Sequence, residues 1–160
     1  MTHTDPGSYT ARELASHIQH TKIAVGTTRD EMLTHLQEAV EFGFDAAMVA
    51  GSWVRLAAEV LAGTDVSVAS ALDFPTVGVM TSAGKAAEAA ELVRLGAQEL
   101  DMGVQVGWLK SGDHQGFRDD IAAWPAPRAC RSRSCSSFPC SPRRRRRWRS
   151  SWPARPVRHT

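Results

Sequence analysis

Asp101 is the residue whose surroundings point most clearly to chemistry. It interrupts the run Glu99-Leu100-Asp101-Met102, which in an extended strand places Leu100 and Met102 on one face and Asp101 on the other. Both faces of a parallel sheet are usually covered, so an acid in such a strand needs a partner, access to solvent or a catalytic role. As a catalyst, a carboxylate would act as a general acid or base. The alternative is an aspartate that caps the loop after the strand.

The other residues with reactive side chains predict no metal or cofactor. His17, His20 and His35 do not have metal-ligand spacing, and the three cysteines recur every five residues within 130–140, which matches no common zinc pattern. No G-x-G-x-x-G sequence follows the first predicted strand, and no P-loop lysine motif is present. We therefore expect no metal and no organic cofactor.

Four strand and helix units position Asp101. Two capping boxes begin helices, at Thr10 with Glu13 and at Thr28 with Glu31. The alternation predicts parallel βα units of about 25 residues, which favours a (β/α)8 TIM barrel over a dinucleotide fold. Because a full barrel takes roughly 250 residues, four units make a half barrel. The predicted strands are 20–25, 46–50, 66–72 and the strand that carries Asp101, and the predicted helices are 10–18, 28–43, 52–63, 81–96 and 112–122.

Charge divides the chain sharply. All 17 acidic residues and eight of the 19 Lys and Arg residues fall in 1–124, which is net −9, whereas 125–160 holds eleven arginines and no acid. We predict a disordered N-terminus over 1–10, a partial TIM-barrel domain over 11–124, and a tail over 125–160 that is disordered or out of frame. No signal peptide and no membrane span are visible, so the expected location is cytoplasmic and no membrane partner is expected.

Five short segments, in order and at matching spacing, resemble the deoxyribose-phosphate aldolase family of class I aldolases. The resemblance covers about residues 11–124, and its segments are similar to the family's Asp-His-Thr motif, its Phe-Pro-x-Gly loop, here with one extra residue, and its Glu-Ile-Asp-Met strand. The matching segments are His20-Thr21, Gly43-Phe44 with Ala46–Val49, Phe74-Pro75 with Gly78, Glu99–Met102, and Leu109–Asp113.

The resemblance implies a TIM barrel that reversibly cleaves 2-deoxy-D-ribose 5-phosphate into acetaldehyde and D-glyceraldehyde 3-phosphate, in deoxyribonucleotide and carbohydrate catabolism. A lysine would form a Schiff base with the substrate carbonyl and act as an electron sink. Asp101 falls on the family's catalytic aspartate, which relays protons around that lysine, and His20 and Thr21 are candidate substrate-binding residues. The implied partners are a small phosphorylated aldehyde or sugar and further copies of the chain in a homo-oligomer.

The departures from the family concern mainly lysine. The family's Schiff-base lysine lies on the sixth strand and a second lysine on the seventh, whereas this chain has only Lys22, Lys85 and Lys110. Lys85 and Lys110 are expected to be solvated surface residues, and Lys22 lies on a strand. We therefore predict that the chain as written lacks the Schiff-base lysine and has no aldolase turnover. Gln19 also replaces the family's usual aspartate.

The tail is explained most simply as a shifted reading frame. Pro125 and Pro127 end the last helix, and the residues that follow are rich in Arg, Pro, Ser, Cys and Trp, as GC-rich DNA encodes out of frame. The codons for Cys135–Pro142, shifted, can encode a strand-like apolar run. Our hypothesis is a frameshift near residue 124, and resequencing the gene across this region tests it.

Two other functions remain open. Eleven arginines with Trp148 and Trp152 could bind nucleic acid, although the acidic domain would repel that ligand. A half barrel could instead be a noncatalytic fragment that self-associates through its open sheet edges. Salt-dependent binding to nucleic acid, lost without 143–147, would support the first, and a sharp, concentration-independent unfolding transition would contradict the second.

Overall fold

A computed structural model of the protein describes residues 9–74 and 77–123. Strands and helices alternate through this part of the chain, as predicted. In chain order the elements are α1 (Ala11–Ala15), β1 (Gln19–Lys22), α2 (Arg29–Phe42), β2 (Ala46–Val49), a 3₁₀ turn (Gly51–Trp53), α3 (Val54–Val60), β3 (Ser67–Leu72), α4 (Ser82–Leu95), β4 (Glu99–Met102), α5 (Val106–Lys110) and α6 (His114–Ala122).

Local sequence signals set most helix boundaries. Both predicted capping boxes are confirmed: the Thr10 and Thr28 side chains each accept a hydrogen bond from the backbone N–H three residues later. Gly43 and Gly96 end α2 and α4 in the left-handed conformation, at φ 71° and 113°. That conformation costs glycine little because it has no Cβ.

Three boundaries differ from the predictions. The first helix ends at Ala15 rather than continuing through Ile18, and the first strand is Gln19–Lys22 rather than 20–25. The segment after β4, expected to be a polar loop, contains the five-residue helix α5.

The four strands form one parallel sheet in the order β1-β2-β3-β4. Helices α2, α3 and α4 pack on one face of it, which we call the outer face. Its core contains Ala47, Val49, Val68, Leu72 and Leu100, together with apolar residues of the helices. Parallel strands joined by helices in this order make about half of a TIM barrel, which confirms the predicted fold class.

Parts of several predictions lie outside the described residues. Residues 1–8, Pro75, Thr76 and 124–160 are not described. The domain predictions for the N-terminal lead and for the arginine-rich tail, including its cysteines, therefore stay predictions. None of the helices in the described part of the chain is both long enough and apolar enough to span a membrane.

Candidate active site

The second face of the sheet, which we call the inner face, carries Asp101. Alternate residues of each strand point to this face, and the register places them side by side. Asp101 pairs with Ala71, and Met48 pairs with both Thr21 and Ala69. From β1 to β4 the inner face consists of Gln19, Thr21, Ala46, Met48, Ser67, Ala69, Ala71, Glu99 and Asp101. Small and polar residues dominate this face, in contrast to the apolar outer face.

A hydrogen bond between the two outermost strands shows that the inner face is concave. Gln19 Nε2 donates to Glu99 Oε2 at 3.1 Å, although β2 and β3 lie between β1 and β4. In a flat sheet these strands would be about 14 Å apart, beyond the reach of the two side chains. Ala46 and Ala69 lie next to Gln19 and Glu99 in the register, and their small side chains leave room for this bond.

Asp101 lies at the carboxyl end of the inner face. It is the third of the four residues of β4, and its side chain is exposed. Its neighbour in the register, Ala71, is too small to cover it. An exposed carboxylate at this end of a barrel strand can exchange protons with a bound molecule or with water.

The other two predicted site residues lie on opposite faces of β1. Thr21 shares the inner face with Asp101 and is exposed. His20 lies on the outer face, where its ring stacks on Phe44 with centroids 4.6 Å apart and its Nε2 is 3.0 Å from Glu38 Oε2. The expectation that His20 faces the same site as Asp101 is therefore not met, because consecutive strand residues point to opposite faces.

None of the three lysines lies on the inner face. Lys22 is half-buried and shares the outer face of β1 with His20, and Lys110 is exposed at the end of α5. Lys85 was expected to be solvated, and this prediction is wrong: its side chain is fully buried. Its Nζ donates to Asp120 Oδ2 at 2.6 Å and to the Gly103 carbonyl at 3.1 Å.

Lys85 belongs to a closed polar cluster, which also includes Asp73, Asp120 and Ser82. Asp73 Oδ2 lies 4.0 Å from Lys85 Nζ, and Ser82 Oγ donates to Asp120 Oδ1 at 2.6 Å. This Lys85 cluster ties α4 and α6 to the segments that follow β3 and β4. No sequence motif predicts this cluster, because Lys85 and Asp120 are 35 positions apart and lie on different helices.

Asp73 also shapes the loop after β3, next to the strand that carries Asp101. It has a positive φ of 54°, and its carboxylate accepts backbone hydrogen bonds from Gly78, Val79 and Met80. A Cβ at Gly103 would lie 2.6 Å from the Asp73 carbonyl oxygen, so this close approach requires glycine. These contacts fix the backbone on both sides of the carboxyl end of the inner face.

Within the described ranges, one group of three potential metal ligands comes together. His20 of β1 meets His35 and Glu38 of α2, and one ligand atom from each lies within 4.8 Å of the others. The His35 and His20 ring centroids are 4.3 Å apart. Burial and the nearby His20 lower the pKa of His35 to about 4. The sequence expectation of no metal-ligand spacing did not foresee this group, since strand and helix had first to be packed together.

Comparison with known proteins is informative for this part of the chain, although the chain matches no protein-family model. A deoxyribose-phosphate aldolase from Methanothermobacter thermautotrophicus is 45% identical over 113 residues, covering 71% of this chain and 50% of the relative. A deoxyribose-phosphate aldolase from Bacillus cereus is 39% identical over 108 residues, covering 68% of this chain and 48% of the relative.

Solved structures agree with this relationship. A proposed deoxyribose-phosphate aldolase from Coccidioides immitis superposes with a TM-score of 0.69 at 29% identity, covering 73% of this chain and 46% of that one. The tetrameric deoxyribose-phosphate aldolase from Aeropyrum pernix gives a TM-score of 0.54 at 26% identity, covering 58% of this chain and 39% of that one. The chain spans about half the length of the curated relatives it matches. By sequence and by fold, this chain belongs to the deoxyribose-phosphate aldolase family.

Proposed function

We propose that the inner face is part of the active site of a class I aldolase that reversibly cleaves 2-deoxy-D-ribose 5-phosphate into acetaldehyde and D-glyceraldehyde 3-phosphate. The observation that carries this proposal is the position of Asp101, exposed at the carboxyl end of β4 on the concave face. Residues 11–124 are the aldolase domain in this proposal. Thr21, on the same face, is the candidate for contact with the substrate.

The chemistry assigns Asp101 a proton-transfer role. A lysine amine condenses with the C1 aldehyde and water is lost, and the resulting iminium accepts the electron pair of the C2–C3 bond as it breaks. The C3 hydroxyl must lose its proton during that step, and C2 must gain one before acetaldehyde is released. Asp101 moves these protons, directly or through a bound water, because a carboxylate open to the substrate side can both accept and return them.

The nucleophile is the part of the reaction that the inner face does not supply. The three lysines of the chain lie on the outer face, in the Lys85 cluster and on exposed α5. We infer that the chain alone forms no Schiff base and has no aldolase turnover. The lysine would be contributed by barrel strands beyond the four described here.

Borohydride trapping tests the inference about the chain alone. The protein is incubated with 2-deoxy-D-ribose 5-phosphate and sodium borohydride and then analysed by mass spectrometry. We expect no adduct on Lys22, Lys85 or Lys110 beyond that seen with borohydride and an unreactive sugar phosphate. A substrate-dependent adduct on any of them would overturn the inference and identify a nucleophile.

A chimaera tests the role of the inner face. Residues 11–123 are joined to the remaining length of the Methanothermobacter thermautotrophicus relative, and cleavage is measured by the release of acetaldehyde. We expect turnover, and Asp101→Asn in the chimaera should lower kcat by about 10²–10⁴-fold, the usual contribution of general acid–base catalysis. Asp65→Asn is the matched control, since Asp65 is exposed in a loop after α3. A folded chimaera whose turnover is unchanged by Asp101→Asn would contradict the assignment.

We also propose that the chain self-associates. Large apolar side chains are exposed near the carboxyl ends of β3 and β4, and in the described region the edges of β1 and β4 are unpaired. The exposed side chains are Phe74, Val77, Val79, Trp108 and Leu109. Light scattering after size-exclusion chromatography should give a mass at least twice that of the chain, and a monomer over a hundred-fold range of concentration would contradict this.

A further inference from the structure

We propose that His20, His35 and Glu38 form a binding site for a divalent transition metal of the zinc class, on the outer face between β1 and α2. This proposal does not depend on the aldolase proposal, because the three residues lie on the opposite face of the sheet from Asp101. Two imidazoles and one carboxylate are a ligand set that Zn²⁺ and Co²⁺ accept with open positions left for water.

The distances fit a metal after a small contraction. His20 Nε2 and Glu38 Oε2 are 3.0 Å apart, and the three ligand atoms all lie within 4.8 Å of one another. Two ligand atoms on a tetrahedral metal with bonds of about 2.0–2.1 Å are separated by about 3.4 Å. Each separation therefore has to change by at most about 1.4 Å to reach this value.

His35 is the second, independent observation. It is only 3% exposed, yet its Nε2 has no hydrogen-bond partner. Among the described residues, His35 Nε2 is the one buried side-chain nitrogen or oxygen atom that lacks a partner. An unpartnered buried polar atom costs free energy and calls for an explanation. A metal ion beside His20 and Glu38 would supply the missing partner.

The contacts of the His35 ring fit the tautomer that a metal requires. The backbone of Met48 hydrogen-bonds this ring, and because Nε2 is unpartnered, Nδ1 is the nitrogen left for that bond. An Nδ1–H that donates to a backbone carbonyl leaves the lone pair on Nε2, which is the usual arrangement behind a metal-bound histidine.

The site opens to solvent. A surface cleft is lined by the three ligands together with Thr21, Lys22, Glu31 and Thr34. The side chains of His20 and Glu38 are 28% and 45% exposed, so an ion can enter without unfolding of α2. Lys22 and Glu31 bring opposite charges to the cleft, and Glu38 supplies the negative charge that a divalent cation needs.

Calorimetric titration with Zn²⁺ tests the proposal. The protein is the full chain carrying Cys130→Ser, Cys135→Ser and Cys140→Ser, which removes thiolates that would bind zinc elsewhere. We expect one equivalent of Zn²⁺ to bind and the Tm to rise with Zn²⁺ concentration, since a ligand of the folded state stabilises it. Co²⁺ should give a visible spectrum typical of nitrogen and oxygen ligands, without thiolate charge-transfer bands.

Two substitutions decide which residues bind the ion. His35→Leu fills the buried position without a ligand, and Glu38→Gln keeps the shape but removes the charge. Because loss of an outer partner alone weakens metal binding by about 10–100-fold, loss of a ligand should weaken it by about a hundred-fold or more. His114→Gln, at an exposed histidine of α6, is the matched control and should leave the affinity unchanged. Absence of binding, or binding that survives both His35→Leu and Glu38→Gln, would overturn the proposal.

Discussion

Two polar clusters lie under the helices, and they differ in whether their hydrogen bonds are complete. In the Lys85 cluster the amine, both carboxylates and the Ser82 hydroxyl all have partners, and Lys85, Asp73 and Asp120 are buried. In the cluster of His20, His35 and Glu38, one nitrogen has no partner and a cleft opens to solvent. A complete cluster stabilises the fold and has no capacity left for a ligand, whereas an incomplete one is where a ligand can be accommodated.

Removing the charge of Lys85 should give the largest effect. Lys85→Met leaves Asp120 and Asp73 buried without a cation, and breaking a buried ion pair in this way typically costs about 3–5 kcal/mol. The free energy of unfolding from urea titration measures the loss, and Lys110→Met, at an exposed lysine, should change it by less than about 0.5 kcal/mol. A loss below about 1 kcal/mol for Lys85→Met would mean that water reaches the two carboxylates, contrary to the burial seen in this cluster.

Acid should weaken the open cluster through His35. Its pKa is lowered to about 4 in the folded protein, first by burial, whereas an unfolded histidine titrates near 6.5. The unfolded state therefore binds more protons between these values, so the stability contributed above pH 6.5 is lost as the pH falls towards 4. His20, Glu38 and Lys22 are the ionisable groups that act on His35.

The measurement compares the protein with His35→Leu in the presence of a chelator. The difference in unfolding free energy between them should change by about 3 kcal/mol between pH 7 and pH 4, in favour of the variant at low pH. This comparison cancels the titration of the many carboxylates that both proteins share. A difference that stays constant over this range would show that His35 is not held neutral by the fold.

Features that depend on residues close together in the sequence could be predicted. Capping boxes depend on residues three apart, so Thr10 and Thr28 identified their helices correctly. The inward position of Asp101 followed from strand alternation alone. The position of His20 follows from the same rule, but a resemblance to an active-site motif suggested the wrong face.

Burial of polar residues could not be predicted, because partners distant in sequence decide it. Lys85 sits on an Ala-rich helix and its partner Asp120 is 35 residues away, so nothing local distinguishes it from a solvated lysine. The pairing of His20 with His35 joins a strand to a helix in the same way. Helix α5 was missed because it is only five residues long, and its end is held by contacts with the Gly112-Asp113 turn.

Ser82 tests how complete the Lys85 cluster must be. Ser82→Ala removes one of the hydrogen bonds to the buried Asp120 carboxylate but leaves its ion pair with Lys85 intact. Hydrogen bonds to charged groups contribute about 1.5–3 kcal/mol, and we expect the low end because one partner remains. The control is Ser111→Ala, because the Ser111 hydroxyl donates to an exposed backbone carbonyl. This substitution should lower the free energy of unfolding by less than about 0.5 kcal/mol. Equal effects of the two substitutions would argue against a special role for the half-buried Ser82 hydroxyl.

Asp101→Asn should have the smallest effect on stability, and that small effect is informative. Asp101 is exposed and belongs to neither polar cluster, so the unfolding free energy should change by less than about 0.5 kcal/mol. The same substitution in the chimaera should nearly abolish turnover, which separates a residue retained for chemistry from residues such as Lys85 that are retained for the fold. If Asp101→Asn instead destabilised the chain by more than about 1 kcal/mol, Asp101 would be a structural acid of the kind seen at Asp73, and the loss of turnover would no longer identify a proton-transfer residue.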